Sequence, residues 1–221
     1  FVYFLRIEHT NILNVKLNNE YISLDDVYPI KATLPINYEQ NEYEGGFYKS
    51  KTYNNLDEVE FDLGIEFMKF PEKLFNDIII VNIMNNVCKI HLNAINFLPT
   101  GVIEHNENEQ KDDFVSVSVM FAYDGGSVDI MLEDESYSNK IYSDFTEEFY
   151  NVEDSYSLIS EYTSNIHNIK VAIIEKSTET KQGEALMAAT SYIALFTKDN
   201  LIYYLQSENI SAVKDIIELM S

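Results

Sequence analysis

The stretch Phe114–Tyr123, FVSVSVMFAY, decides the fold class expected of this chain. Successive side chains of a β-strand point to opposite faces, so its alternation of apolar with small residues predicts a half-buried strand. Asp124-Gly125-Gly126 follows directly and predicts the turn that ends the strand. The residues that share the predicted inner face are Val115, Val117, Val119 and Phe121.

The same period of two recurs at Val59–Phe67, VEFDLGIEF. It predicts a second strand with an acidic outer face. Two asparagine pairs, Asn18-Asn19 and Asn85-Asn86, predict tight turns, the second of them between two apolar runs. The first half of the chain is therefore expected to be β. The acids on the outer face of the predicted 59–67 strand are Glu60, Asp62 and Glu66.

The pattern changes after Gly126. Apolar residues between Tyr142 and Thr163 recur at helical spacing and predict an amphipathic helix. Residues 180–197 contain strong helix formers, and Ser211 is a candidate cap for a last helix. Short strands are expected at residues 168–175 and 200–206. The expected fold is mainly β: a β-sandwich or barrel over residues 1–125, followed by a smaller α+β extension over residues 126–221. The inward residues of the last helix are expected to be Val213, Ile216, Ile217 and Met220.

The net charge of −22 restricts the partners of the protein. Nucleic acid and anionic membranes are both disfavoured, because each binds through Lys and Arg. The charge leaves three explanations: a cationic partner, solubility, or a surface from which DNA is repelled. Fifteen acids against two lysines between Glu104 and Asp154 make this segment the most acidic part of the chain.

No motif in the chain indicates catalysis. The four histidines lack the spacing of a metal site, and no phosphate-binding loop or nucleophile motif is present. The single cysteine, Cys88, lies in an apolar stretch and is expected to be a buried small residue. The longest apolar segment, residues 185–196, is too short to cross a bilayer. We therefore expect a protein that is not an enzyme, has no cofactor or metal, and does not contact a membrane.

Several short motifs, in their order and spacing, resemble the tail tube proteins of contractile-tailed phages over roughly residues 1–125. A leucine-proline pair precedes a Tyr-Glu-Gly segment, a later hairpin ends in Phe-Leu-Pro, and a Val-x-Val-x-Phe-x-Tyr-Asp strand closes the region. The extra Leu98 in the hairpin motif departs from the family pattern. The residues at the family positions are Leu34, Pro35, Tyr43, Gly45, Phe97, Pro99, Val117, Val119, Phe121 and Tyr123.

The resemblance implies a β-sandwich that forms hexameric rings, with strands of neighbouring copies closing one barrel around a channel and long hairpins stacking the rings. It implies sheath or baseplate proteins as further partners, and a place in the virion after assembly in the host cytoplasm. DNA would pass through an acidic channel without sticking, and Glu60, Asp62 and Glu66 are the candidate channel residues. The 126–221 extension leaves a tube-like baseplate or terminator component open.

An inhibitor is the alternative class. An acidic immunity or anti-defence protein that mimics DNA and blocks a basic nuclease would carry the same charge, and long-range attraction would speed its association. The mass in solution separates the two classes, because rings indicate a structural protein and a monomer in a one-to-one complex indicates an inhibitor.

Overall fold

The structure is a computed structural model that describes residues 13–32, 37–43, 46–70, 78–97, 113–142, 147–164 and 167–220. These residues are mainly β, as the sequence predicts. In chain order the elements are β1 (Leu13–Leu17), β2 (Glu20–Tyr21), β3 (Glu39–Tyr43), β4 (Gly46–Tyr53), α1 (Leu56–Leu63), β5 (Ile79–Met84), β6 (Val87–Phe97), β7 (Asp113–Ala122), β8 (Val128–Leu132), β9 (Glu135–Tyr142), β10 (Glu147–Thr163), β11 (Lys170–Gln182), β12 (Ala185–Lys198), β13 (Leu201–Ser207) and α2 (Ile210–Leu219).

Ten of these strands form one antiparallel sheet, in the order β3-β4-β5-β6-β7-β13-β12-β11-β10-β9. Strands β3 to β7 are neighbours in chain order, and strands β9 to β13 are neighbours in the reverse order. Two five-stranded meanders are thus joined where β7 pairs with β13, from Ile202 opposite Met120 to Ser207 opposite Val115. The rest of the chain packs on the two faces of this sheet.

The middle of the sheet is covered on both faces. One face packs against α1, α2 and the segment after α1. The other packs against a small sheet in which β1 pairs in parallel with β8 and antiparallel with β2. Tyr203 on β13 helps to fix the helical side, since its ring stacks on that of Phe196 at 4.9 Å and its hydroxyl accepts a hydrogen bond from the Met68 amide at 3.0 Å.

The central strand β7 confirms the prediction for Phe114–Tyr123. The four residues predicted to share the inner face are completely buried on the helical side of the sheet, while Ala122 is buried on the small-sheet side. Both predicted asparagine turns also form, with positive φ at each residue: 47° and 69° at Asn18 and Asn19, and 49° and 60° at Asn85 and Asn86. Such angles match the twist of antiparallel hairpins.

The strand predicted at Val59–Phe67 is wrong, because Leu56–Leu63 forms helix α1. Asn55 caps the helix by accepting a hydrogen bond from the Glu58 amide at 2.9 Å, and Gly64 ends it in the left-handed conformation. Val59 and Leu63, four residues apart, supply the buried side. Nine residues were too few to separate the two periods, and the capping residues decide the outcome.

The helices predicted at residues 142–163 and 180–197 are also wrong, because β10 and β12 occupy most of these ranges. Burial along residues 151–157 alternates with a period of two, as pairing with β9 and β11 requires. Pairing outweighs the helix propensity of the segment after Glu184. The expected strands at 168–175 and 200–206 are confirmed by β11 and β13.

The predicted last helix is confirmed as α2, with all four predicted inward residues buried. Its cap is Asn209 rather than Ser211: the Asn209 side chain accepts a hydrogen bond from the Ser211 amide at 2.9 Å.

The division at residue 125 into a β domain and an extension stays a prediction. Strand pairing crosses this position at two places, because β13 pairs with β7 and β8 pairs with β1. Residues from both sides of it also share the largest buried cluster. The two regions therefore have one sheet and one core in common.

Gly126 lies where the turn after β7 approaches the Asn85-Asn86 turn, and a substitution there tests how close the two turns are. A Cβ at this position would overlap the Asn86 carbonyl oxygen and lie 2.9 Å from the carbonyl carbon. We expect Gly126→Ala to lower the free energy of unfolding by about 2–3 kcal/mol, measured by denaturant titration. Gly183→Ala is the control: Gly183 has a φ of 58° and open space around it, so only the backbone cost of about 1 kcal/mol applies. Equal losses in both variants would contradict the close contact.

Candidate functional site

The three acids predicted to line a channel do not share a strand face. Glu60 and Asp62 lie on α1, and Glu66 is exposed just after it. Glu60 accepts hydrogen bonds from the Lys69 ammonium at 2.5 Å and the Phe67 amide at 2.9 Å. Both helix acids are thus engaged by lysines, since Asp62 also forms an ion pair with Lys51. The channel role of the three acids stays a prediction, without the strand that was expected to carry it.

Asp62 belongs to a polar network beside α1. The Tyr53 hydroxyl donates to the Asp62 carboxylate at 3.0 Å and lies 3.4 Å from the Tyr38 hydroxyl. The hydrogen bond from Lys51 holds the pKa of Asp62 below its ordinary value. Burial raises the pKa of Tyr38 to about 12 and that of Tyr53 further, so both phenols stay protonated. This network forms one wall of an open pocket of about 410 Å³, called the α1 pocket, lined by Lys51, Thr52, Tyr53, Asp57, Glu58, Phe61 and Asp62.

Six residues of the family motifs lie in the described part of the chain, in strands or in the core. Val117, Val119 and Phe121 are core residues of β7, and Tyr123 is buried next to it. Tyr43 ends β3 and Phe97 ends β6. The other four motif positions lie outside the described residues: Leu34, Pro35, Gly45 and Pro99.

Four strands continue beyond the covered part of the sheet and form what we call the arm, residues 135–142, 147–157, 175–182 and 185–191. A register shift in β10 between Leu158 and Ser160 marks its base. At its tip, residues 185–190 are exposed on both faces, including Leu186 at 57% and Met187 at 54%. The arm therefore exposes apolar side chains on paired strands, and Tyr137 on β9 is a further one at 41%.

Both edges of the arm are open among the described residues. β9 pairs with β10 alone, and β12 pairs with β13 only from Tyr192 onward, so residues 185–191 pair with β11 alone. An open edge presents unpaired backbone donors and acceptors to another chain. Residues 185–191 contain no charged side chain, and β9 contains one Glu and one Lys. Neither edge therefore adds net charge to this acidic protein.

The two faces of the arm differ in chemistry, because directly opposed residues of neighbouring strands share a face. Tyr137, Val152, Thr180 and Met187 form one row across all four strands, on what we call the tyrosine face. Where the side chains of the arm are described, the opposite face, called the polar face, carries hydroxyl, amide and charged side chains together with Leu186 and Ala188. Its residues are Ser136, Ser138, Asn151, Glu153, Ser155, Ser157, Glu175, Ser177, Glu179, Lys181, Leu186, Ala188 and Thr190.

An ion pair fixes the arm near its base. Asp154 is 9% exposed and accepts hydrogen bonds from the Thr178 hydroxyl at 2.6 Å and the Lys176 ammonium at 2.9 Å. Burial alone would raise the pKa of Asp154, but the hydrogen bonds from Thr178 and Lys176 outweigh it and the pKa is lowered. Asp134 accepts from the Tyr156 amide at 2.8 Å, which ties β10 to the loop after the small sheet.

The sequence contained a signal for the arm that the helical reading missed. Residues 176–182, KSTETKQ, are all polar and include the β-branched residues Thr178 and Thr180, which favour strands over helices. Gly183, at a positive φ of 58°, makes the turn between β11 and β12.

The described residues do not bring three His, Cys, Asp or Glu side chains together as a metal site, and none of their helices is long and apolar enough to cross a membrane. Cys88 is fully buried, and burial raises the pKa of its thiol to about 12.

The Asp154 ion pair predicts a pH-dependent stability difference. Because folding lowers the pKa of Asp154, the pair stabilises the fold above the ordinary carboxyl pKa of about 3.9, and this contribution is lost as the pH falls through the lowered pKa. Asp154→Asn should cost about 1–3 kcal/mol at pH 7, and the difference from the unchanged protein should shrink below about pH 4. Thermal unfolding from pH 7 to pH 3 measures both quantities.

Glu153→Gln is the matched control for this prediction. Glu153 is next in sequence, but its ion pair with Lys181, at 3.4 Å, is at the surface and should contribute less than about 1 kcal/mol. A loss for Asp154→Asn that is the same at every pH would contradict the assignment of the stabilisation to the ionised pair.

In comparisons with known proteins, no family model, no curated protein and no solved structure matches this chain.

Proposed function

We propose that this chain is a non-enzymatic structural protein that assembles with copies of itself into rings, in the manner of a phage tail tube. The observation that carries the proposal is the arm, a four-stranded sheet that leaves the core and whose two edges pair with no other strand in the described part of the chain. A strand edge needs partners for its backbone groups, and the edge of a second copy supplies them without any change in fold.

The number of strands in the arm makes ring closure possible. Because neighbouring strands are antiparallel and there are four of them, β9 and β12 run in opposite directions. A rotation about an axis roughly along the strands then places β12 of one copy antiparallel to β9 of the next. Such a head-to-tail contact closes into a ring when the rotation divides a full turn. Six copies is the number that the resemblance to tail tube proteins implies.

Charge favours the same pairing. The protein has a net charge of −22, so most contacts between two copies bring carboxylates together. The edge formed by residues 185–191 has no charge, and that of β9 has a net charge of zero. Pairing these edges avoids the repulsion that like charges cause when they lie directly opposite each other.

The polar face of the arm is the better candidate for a channel lining. A water-filled barrel has a polar interior, and this face carries hydroxyl groups and the carboxylates of Glu153 and Glu179, which lie directly opposite each other. Lys181 on the same face pairs with Glu153 at 3.4 Å, so these three residues together keep one net negative charge. In a ring these acids would repel the phosphates of passing DNA, which is the role that the resemblance assigns to an acidic channel. Glu153 and Glu179 thus replace the acids of α1 in this proposal. Placement in the virion, and contacts with sheath or baseplate proteins, follow from the resemblance and belong to the same proposal.

Charged residues on the β12 edge should prevent assembly. We expect the unchanged protein to form rings with a central channel in negative-stain images and a mass of several copies in sedimentation. Leu186→Lys together with Ala188→Lys should leave monomers, because lysines on an open edge block pairing with another strand. Both positions are exposed, so the monomer should keep its stability within about 0.5 kcal/mol each.

The control adds the same charge elsewhere. Tyr21→Lys together with Met131→Lys places two lysines on the small sheet, at positions that are 68% and 58% exposed, and should still form rings. Rings that persist in the β12 variant would contradict the role of this edge. If the unchanged protein stays monomeric at high concentration and binds a basic nuclease one to one, the inhibitor is correct and the ring proposal is wrong.

A further inference from the structure

Phe61 projects from the middle of α1 and is 87% exposed. The helix does not need this ring for its own stability, since Val59 and Leu63 are buried on its inner side and Asn55 and Gly64 cap its ends. An exposed aromatic ring beside a pocket offers a partner a flat apolar contact next to a recess. The α1 pocket lies directly beside Phe61, which forms part of its wall.

The acids at the rim of the α1 pocket are arranged around Phe61. Asp57 is four residues before Phe61 and therefore lies on the same stripe of the helix, and Glu58 is one residue further along the chain. The two lysines near the pocket form their shortest ion pairs with acids other than Asp57 and Glu58. Lys51 is paired with Asp62, while Lys69 contacts Glu60 at 2.5 Å and reaches Asp57 only at 3.7 Å. The rim is therefore negative beside an exposed aromatic ring.

We propose that the α1 pocket binds an arginine side chain presented by an extended segment of a partner protein. A guanidinium group is planar, stacks on aromatic faces and donates forked hydrogen bonds to a carboxylate, so one arginine can contact Phe61 and the Asp57 or Glu58 carboxylate together. The pocket volume of about 410 Å³ accommodates such a side chain and its neighbours. The strong negative charge of the whole protein attracts cationic segments from a distance.

This surface is separate from the proposed ring contact. It is formed by β4 and α1, at the end of the sheet opposite to the arm. Copies joined through their arms would still present it to a different protein. The inference can therefore be correct if the chain forms no ring, and it can be wrong if the chain does.

The test is a calorimetric titration of the full chain with the peptide acetyl-Arg-Leu-Arg-amide. We expect saturable binding that Phe61→Ala weakens by about threefold to thirtyfold, since loss of a cation–π contact has an effect of this size. The same peptide with citrulline in place of arginine keeps the shape without the charge. It should bind the unchanged protein no more tightly than the arginine peptide binds Phe61→Ala. A lysine peptide should bind the unchanged protein less tightly and should lose less affinity through Phe61→Ala, because an ammonium group lacks the planar stacking of a guanidinium group.

Phe47→Ala is the matched control, because Phe47 is also an exposed aromatic residue on this end of the sheet, at 57%. It should leave the affinity unchanged, and thermal unfolding should show both variants folded. No saturable binding would overturn the proposal. Equal weakening by Phe47→Ala and Phe61→Ala would also overturn it, since it would reduce the binding to general attraction by an acidic protein.

Discussion

Hydrogen bonding between β7 and β13 is the interaction on which the rest of the structure depends. It joins two meanders that would otherwise each have an open edge in the middle of the molecule. Side chains from both strands are buried on both faces, with Val119 and Tyr203 on the helical side and Ala122 and Ile202 on the other. The two helices and the small sheet can cover only the part of the sheet near this joint. The ends of the strands farthest from it continue beyond that cover, and the open edges of the arm follow from this limit.

The fold could be predicted from sequence where a pattern continues over enough residues to distinguish a period of two from helical spacing. The alternation in β7 continues over ten residues and was interpreted correctly, as were the asparagine turns, whose positive φ few other residues adopt at low cost. In VEFDLGIEF, apolar residues occur both at every second position and at Val59 and Leu63, four apart. Asn55 and Gly64, just outside the buried residues, resolved this in favour of a helix.

The sequence carries only a partial signal for the arm, because the conformation of its strands and its open edges depend on pairing between distant segments. The apolar residues of β10 also fit a helical spacing, and only pairing with β9 and β11 excludes it. Which edge stays open depends on where β13 stops pairing with β12, and that is set by the joint with β7. The acids show the same limit: composition revealed the charge, but only the structure shows that Glu60 and Asp62 lie on a helix. It also shows that Glu153 and Glu179 lie opposite each other on paired strands, with Lys181 beside Glu153.

The most direct test of the central claim is a disulfide between the two arm edges of different copies. Variants with one added cysteine can be used, because the native Cys88 is fully buried. Mixing Leu186→Cys or Ala188→Cys with Ser136→Cys or Ser138→Cys joins residues of the same face, which antiparallel pairing brings close enough for a disulfide. The account predicts cross-linked dimers from at least one of these mixtures, and none from any variant alone or from Met187→Cys mixed with Ser138→Cys, which lie on opposite faces. Absence of every same-face cross-link, or efficient cross-linking of one variant with itself, would contradict it.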